Sequence, residues 1–279
     1  MCACSVSHVA CHDSYGRAGQ PSDTGCECSL GVLSDDDLRF AHALADAADA
    51  VTTARFRALD LRVDTKPDLT PVSEADRRAE EVIRELVRAS DRGEGVLGEE
   101  FGDDGGDVKW IVDPIDGTTN YVRGVPVWAT LLALEREGVV ELAYVSAPAL
   151  GRRWWAVLGE GAYADGVRCH VSAVSELENA AVSTTSARRM PDGWRTIVQR
   201  AWSNRGLGDF WQHCLVAEGS LEISCDSVMA IWDYSAPRLL VEEAGGLCTT
   251  FTGEPPAEGQ SFVATNGVLH DEAVALLSS

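Results

Sequence analysis

The sequence predicts a five-layer αβαβα sandwich, with an α+β half over residues 34–174 and an α/β half over residues 175–279. Two observations in the 279-residue chain carry this expectation. Between Val127 and Val171 short β-prone runs follow one another through tight turns, as in an antiparallel sheet. From Ala180 onward short apolar strands alternate instead with helical stripes, as in an α/β unit.

Each element has its own signal. Residues 1–33 lack apolar periodicity and are rich in Ser, Gly, Asp and Cys, so they read as a disordered tail. Cys2, Cys4, Cys11, His12, Cys26 and Cys28 are candidate zinc ligands, although their spacings fit the usual paired Cys motif poorly. Ser34 is a suitable N-cap, and Asp35, Asp36 and Asp37 suit a first helical turn. Leu38, Ala41, Leu44, Ala45, Ala48, Val51 and Phe56 then form a helical stripe to about Ala58. A short strand at 61–63 and a polar loop at 64–71 lead to a helix capped by Ser73. Gly95–Gly98 reads as a strand running into Glu99 and Glu100, and residues 103–107 as an exposed loop. Strands are expected at 127–135, 139–147, 153–158, 161–164 and 169–171, with Asp165-Gly166 as a hairpin turn. Further strands are expected at 180–184, 201–205, 221–224, 247–251 and 262–264. The helices among them run over 194–200, 210–218, 232–244 (ended by Gly245-Gly246) and 269–277.

Composition narrows the function. The net charge is −21, from 44 acidic and 23 basic residues. Such a surface repels nucleic acid and anionic lipid. It also repels anionic substrates, so a phosphate site must recruit its own cations. Lysine occurs only at Lys66 and Lys109. No apolar run reaches the length of a membrane span, and no secretory signal is present, which makes the cytoplasm the default expectation. Cys169, Cys214, Cys225 and Cys248 lie in apolar contexts and read as buried free thiols.

The chemistry centres on Trp110-Ile-Val-Asp-Pro-Ile-Asp-Gly-Thr-Thr-Asn120. The apolar lead-in is a strand expected to stop at Asp113, because Pro114 cannot donate to a ladder. Gly117 permits a tight turn, after which backbone N–H groups are available to a phosphate oxygen. Asp113 and Asp116 at a strand mouth suit a hard divalent cation. A lone Asp-Pro turn is more often a solvated loop. Here a hydrophobic strand precedes it, and two further acidic motifs stand elsewhere in the chain. A phosphatase motif of the Asp-x-Asp-Gly-Thr type, with a nucleophilic aspartate, has one residue fewer between the carboxylates, so that chemistry is disfavoured. Glu99 follows a strand and Asp233 opens a helix. Either alone would read as a surface residue or a cap, and only the fold can bring them together.

These motifs resemble the inositol monophosphatase superfamily. The matching residues are Pro71-Val-Ser-Glu-Ala-Asp76, Gly98-Glu-Glu100, Asp113-Pro-Ile-Asp-Gly-Thr118, Asn120-Tyr-Val-Arg-Gly-Val-Pro126, Trp232-Asp233 and Glu243-Ala-Gly-Gly246. The resemblance runs from about Ser34 to the C-terminus. It implies an inositol monophosphatase/fructose-1,6-bisphosphatase-like fold and a Mg²⁺-dependent, Li⁺-sensitive phosphomonoesterase, as a homodimer. Carried over by position, Glu99, Asp113, the Ile115 carbonyl, Asp116 and Asp233 hold two or three Mg²⁺ ions. Glu99 and Thr118, with Asp76 nearby, orient and deprotonate the attacking water. Gly117 and Thr118 present backbone N–H groups to the phosphate. Lys66 falls in a loop where family members often have a lysine, and Arg205 is a further candidate for the substrate site.

Substrate choice is expected to lie in the C-terminal half. Gly208-Asp-Phe-Trp211 offers a carboxylate and two aromatic rings where general inositol phosphatases usually carry small residues. Asp209 and Asp226 would complement a cationic leaving group such as L-histidinol. Equally, Phe210 and Trp211 are ordinary core residues and Asp209 an ordinary helix cap. Val122–Trp128, Val145–Ala149, Arg152–Trp155 and Gly208–Phe210 resemble the bacterial histidinol-phosphate phosphatases of this superfamily most closely. Asp233-Tyr-Ser departs from the two small residues usual after that aspartate. The alternatives are a broad inositol or sugar monophosphatase, or a regulatory homologue that binds a protein partner.

Overall fold

The computed structural model describes residues 35–66 and 71–279. The expected tail, its candidate zinc ligands and the Ser34 cap lie outside the described residues. In chain order the elements begin with α1 (Asp35–Arg55), β1 (Val63–Thr65), β2 (Pro71–Ser73), α2 (Glu74–Ala89), β3 (Gly95–Gly98) and β4 (Gly102–Asp103). β5 (Val108–Asp116), α3 (Thr118–Val122), β6 (Ala129–Arg136), β7 (Val139–Ala147), β8 (Arg152–Val157), β9 (Gly161–Ala164) and β10 (Val167–Arg168) follow. The second half holds β11 (Ala181–Thr184), α4 (Asp192–Arg200), β12 (Ser203–Arg205), α5 (Asp209–Ala217), β13 (Ile223–Met229), α6 (Ile231–Glu243), β14 (Leu247–Thr249), β15 (Gln260–Thr265) and α7 (His270–Leu277).

Strands β3–β10 form an eight-stranded sheet in the order β10-β9-β8-β7-β6-β5-β3-β4, and β11–β15 a five-stranded sheet in the order β12-β11-β13-β15-β14. Side chains alternate across a strand, and the packing follows that period. Trp110, Val112, Leu132 and Leu134 face α1 and α2, where they meet Ala41, Leu44 and Ile83. Ile111, Leu131 and Ala133 face the opposite way and meet Phe210, Cys214, Leu239 and Leu240 of α5 and α6. Phe262 and Ala264 of the smaller sheet join that same layer. Beyond it, Val182, Ile223 and Val263 pack on Trp194, Ile197, Ala273 and Leu277 of α4 and α7. The layers are therefore α1/α2, large sheet, α5/α6, small sheet and α4/α7, the predicted αβαβα order.

One local expectation fails where it matters. β5 does not stop at Asp113 but continues through Pro114 to Asp116. Asp113 pairs with Leu131 and Asp116 with Ala129, so two residues of β5 oppose Thr130 alone. That is a β-bulge, one of the few places where a sheet accepts proline. In a regular strand residues three apart point to opposite faces; the extra residue brings both carboxylates to the side of α5 and α6. Thr130 Oγ1 donates to the Pro114 carbonyl at 2.9 Å and steadies the bulge. Other strands are displaced as well, among them β1, which lies at Val63–Thr65 and not at 61–63. The hairpin partner of β9 lies at 167–168, not 169–171, and β13 extends to Met229, which places Asp226 inside a strand.

Candidate metal-dependent active site

Several elements deliver the site. The bulge of β5 presents Asp113 and Asp116, and the first turn of α6 presents Asp233. One oxygen of each lies within 4.8 Å of the others. Asp113 Oδ1 accepts the Ile115 N–H at 2.9 Å, which folds the bulge around its own carboxylate. Asp116 Oδ2 accepts the Phe210 N–H at the start of α5 at 2.6 Å. Asp233 Oδ2 accepts the Ala230 N–H at 2.9 Å and so caps its own helix. Pro237 sits inside α6. It has no N–H for the carbonyl four residues earlier, which is that of Asp233.

Burial and mutual repulsion dominate the electrostatics. Burial, then the charges of Glu99, Asp116, Asp233 and Asp76, hold the Asp113 carboxyl well above the usual range. Burial, Asp209 and Asp233 do the same to Asp116, against the opposing pull of the Phe210 N–H. Burial pushes Asp233 up to about 7; the Ala230 N–H opposes this, and Glu99 and Asp226 add to it. A cluster that resists its own ionisation, offers only oxygen donors and is reachable from a cleft matches a hard divalent cation. Glu99 lines the same cleft. Its Oε1 accepts from Lys66 Nζ at 2.6 Å, and Glu100 Oε1 accepts from the same ammonium at 2.6 Å. Burial works against the Lys66 charge, but bonds to Glu100 and Glu99 outweigh it and raise the pKa. A cation thus already stands at the Glu99 side of the site.

Thr118 and Asp76 form the second group. Ser73 and Asp76 make a capping box at the start of α2: Asp76 Oδ2 accepts from Ser73 N–H at 2.9 Å and from Ser73 Oγ at 2.5 Å. The other oxygen, Oδ1, lies 2.9 Å from Thr118 Oγ1. The Ile115 carbonyl is also 2.9 Å from that hydroxyl, whose single proton serves one acceptor at a time. With its proton directed away to either, Thr118 keeps lone pairs to accept from a water. Gly117 has φ +84°, and a Cβ there would lie 3.1 Å from the Val127 carbonyl and 3.2 Å from Asp209 Oδ2. The turn therefore needs glycine for both its backbone angle and its space.

The cleft holds about 340 Å³ and is lined by Glu99, Asp113, Ile115, Asp116, Gly117, Thr118, Asp209 and Asp233. Asp76 is fully buried behind Thr118. Asp209 opens α5 with φ +49°, uncommon for a residue with a side chain. Its Oδ2 accepts from Asn120 Nδ2 at 2.8 Å, and burial followed by the Asp226 charge pushes it up to about 7. Asp226 is placed differently. It does not line the cleft, and its Oδ2 accepts from Gln212 Nε2 at 2.5 Å and lies 3.1 Å from His213 Nε2. Arg205 is exposed on β12 and bonds the neighbouring Asn204 carbonyl, away from the cleft. Phe210 is buried in the core, and Trp211 packs against that core partly buried, as the plainer reading had it. Sequence reasoning missed Arg189, Val228 and Trp232, which line the cleft. Trp232 beside Asp233 was a usable signal. Arg189 had none, since it stands in a short 3₁₀ turn, Ala187–Arg189, among several arginines.

Comparison with known proteins identifies the family. Residues 34–279 match the inositol monophosphatase family. The chain belongs to that family. It is accordingly a phosphoric monoester hydrolase of a metal-dependent type. A histidinol-phosphatase of Mycobacterium tuberculosis is 49% identical over 88% of this chain and 100% of its own length. One from Streptomyces coelicolor is 49% identical over 87% of this chain and 97% of its own. Among solved structures, an IMPase of Thermotoga maritima superposes with a TM-score of 0.81 at 32% identity, covering 87% of this chain and 97% of that one. Among the described residues no helix is long and apolar enough to cross a membrane.

Proposed function

We propose that the protein hydrolyses L-histidinol phosphate to L-histidinol and phosphate, with Mg²⁺ held by Asp113, Asp116, Asp233, Glu99 and the Ile115 carbonyl. The supporting observation is the 49% identity along the whole length of a relative named histidinol-phosphatase. When bound, such ions neutralise the phosphate dianion, acidify a water and stabilise the departing alkoxide. The chain's own residues do the remainder. Gly117 and Thr118 turn backbone N–H groups toward the phosphate at the start of α3. Thr118, its proton directed to Asp76 or to Ile115, accepts a hydrogen bond from the attacking water and orients it. Glu99 accepts that water's proton once Lys66 yields its oxygen. Arg189 places a cation on a cleft lined by five carboxylates and attracts the incoming anion. Asp209, whose carboxylate abuts the Gly117 turn, meets the cationic leaving group beside the phosphate. Asp226 acts from behind it through Gln212. The protein works as a cytoplasmic homodimer, with the catalytic carboxylates mainly in residues 34–174 and substrate selection in residues 175–279.

The test is a comparison of kcat/KM for L-histidinol phosphate and myo-inositol 1-phosphate. The expected preference for the former is at least roughly tenfold, about 1.4 kcal/mol of transition-state discrimination. Asp209→Asn should narrow that ratio, since it removes charge facing the cationic substrate and leaves the neutral polyol unaffected. A wild-type preference for the inositol ester refutes the assignment.

A further inference from the structure

The carboxylate of Glu80 lies outside the cleft and is fully buried. It stands on α2 one helical turn after Asp76, so both point from the same face of that helix. Its Oε2 accepts the Glu100 N–H at 2.7 Å, and its Oε1 accepts the Phe101 N–H at 3.2 Å and Arg84 Nε at 2.8 Å. Two successive backbone N–H groups after a strand form a concavity that ordinarily takes an anion; here the chain fills it with its own side chain. Arg84 balances the charge and reaches on to Asp104 Oδ2 at 2.8 Å. On the other side of the same turn the Glu99 N–H donates to the Val112 carbonyl at 3.2 Å, next to Asp113. Glu99 is therefore gripped between β5 and α2. Gly98 is shaped to this contact, because a Cβ there would lie 2.1 Å from Glu80 Oε1.

We propose that Glu80 is a positioning residue for the metal site: by holding the N–H groups of Glu100 and Phe101 it aims the Glu99 carboxylate at the carboxylates of β5. α2 then sets both halves of the chemistry, with Asp76 fixing Thr118 and Glu80 fixing Glu99. In Glu80→Gln an amide NH₂ must face either a backbone N–H or Arg84, donor against donor, so the turn has to shift. The inference rests on the reading of Glu99 as a cation ligand.

The test is a Mg²⁺ titration of the full chain followed by thermal shift, with Mn²⁺ binding by electron paramagnetic resonance as the second readout. Glu80→Gln should raise the half-saturating concentration of either ion roughly tenfold, while kcat at saturating Mg²⁺ falls less than threefold. Gly98→Ala, which displaces the Glu80 head without changing its chemistry, should reproduce that pattern, and it carries the test if Glu80→Gln does not fold. Glu81→Gln, an exposed change on the same helix, should titrate as wild type. Wild-type half-saturation in a folded Glu80→Gln or Gly98→Ala protein overturns the proposal. Glu99→Gln separates the two levels. If it leaves ion affinity unchanged, the ligand reading fails; if it weakens affinity while Glu80→Gln does not, only the positioning role fails.

Discussion

Removing divalent cations should make the protein less stable as pH rises, and Asp233 shows by how much. Its carboxyl titrates near 3.8 when unfolded and at about 7 in the folded chain. A folded pKa above the unfolded one gives stability that is fully present below 3.8 and lost as pH rises through about 7. Between pH 5 and pH 8 one such group removes roughly 2–3 kcal/mol. Partial solvent access reduces this to about 2 kcal/mol. For a chain of this size that is a fall in Tm of roughly 4–8 °C. Mg²⁺ at about 100 times its Kd restores about 2.7 kcal/mol, so it should cancel the loss at pH 8. At pH 5 it should do little, since the ion must first displace protons from Asp113, Asp116 and Asp233. The assay is scanning calorimetry from pH 5 to 8, in EDTA and then in Mg²⁺. Asp233→Asn should melt above wild type at pH 8 in EDTA and lose most of the Mg²⁺ response. A Tm in EDTA that is flat or rising over this range, or an equal Mg²⁺ shift at both ends, refutes the reasoning.

Other outcomes follow from the same geometry. Asp113→Asn should lower kcat by several orders of magnitude with the fold intact by circular dichroism; near-wild-type turnover at saturating Mg²⁺ removes it from the ligand set. Thr118→Ala should cut kcat about 10²-fold or more with little change in Mg²⁺ half-saturation, measured by steady-state kinetics, because it loses the water's acceptor but no cation ligand. Arg189→Ala should raise KM and the inhibition constant for inorganic phosphate severalfold at low salt, with the difference shrinking in about 0.5 M NaCl. Tyr121→Phe, which deletes a buried 2.7 Å bond to the Thr52 carbonyl, should cost about 1 kcal/mol in denaturant unfolding.

The fold was largely legible because its layers follow periodicity. Alternation in β5 and β6 separates Trp110, Val112, Leu132 and Leu134 from Ile111, Leu131 and Ala133, and the helical stripe of α1 is continuous. The acidic cluster was legible in part because Asp116 closes β5 and Asp233 stands in the first turn of α6. What escaped depends on long-range pairing. Proline argued for ending β5, and only the register against β6 reveals the bulge. Asp226 carries the charge expected of it, but the extension of β13 brings it under Gln212 and His213, which no local pattern encodes. Arg189 gains its place from the packing of the two halves, not from its neighbours in sequence.

The bulge in β5 makes the motif sensitive to counting. Asp113 and Asp116 share a side only because one surplus residue offsets an odd spacing, so the interval behaves like a reading frame. Substitution at Pro114 leaves the phase intact, whereas deleting one residue between the aspartates, with the surplus kept, would turn one carboxylate to the opposite side. Deleting the residue together with the bulge would restore a common side at a spacing of two, the interval of the Asp-x-Asp phosphatases. Even spacing alone and odd spacing plus a defect are thus two ways for a strand to bring two acids to one side. Length changes in this interval should therefore be rarer than changes of residue type in any collection of active variants.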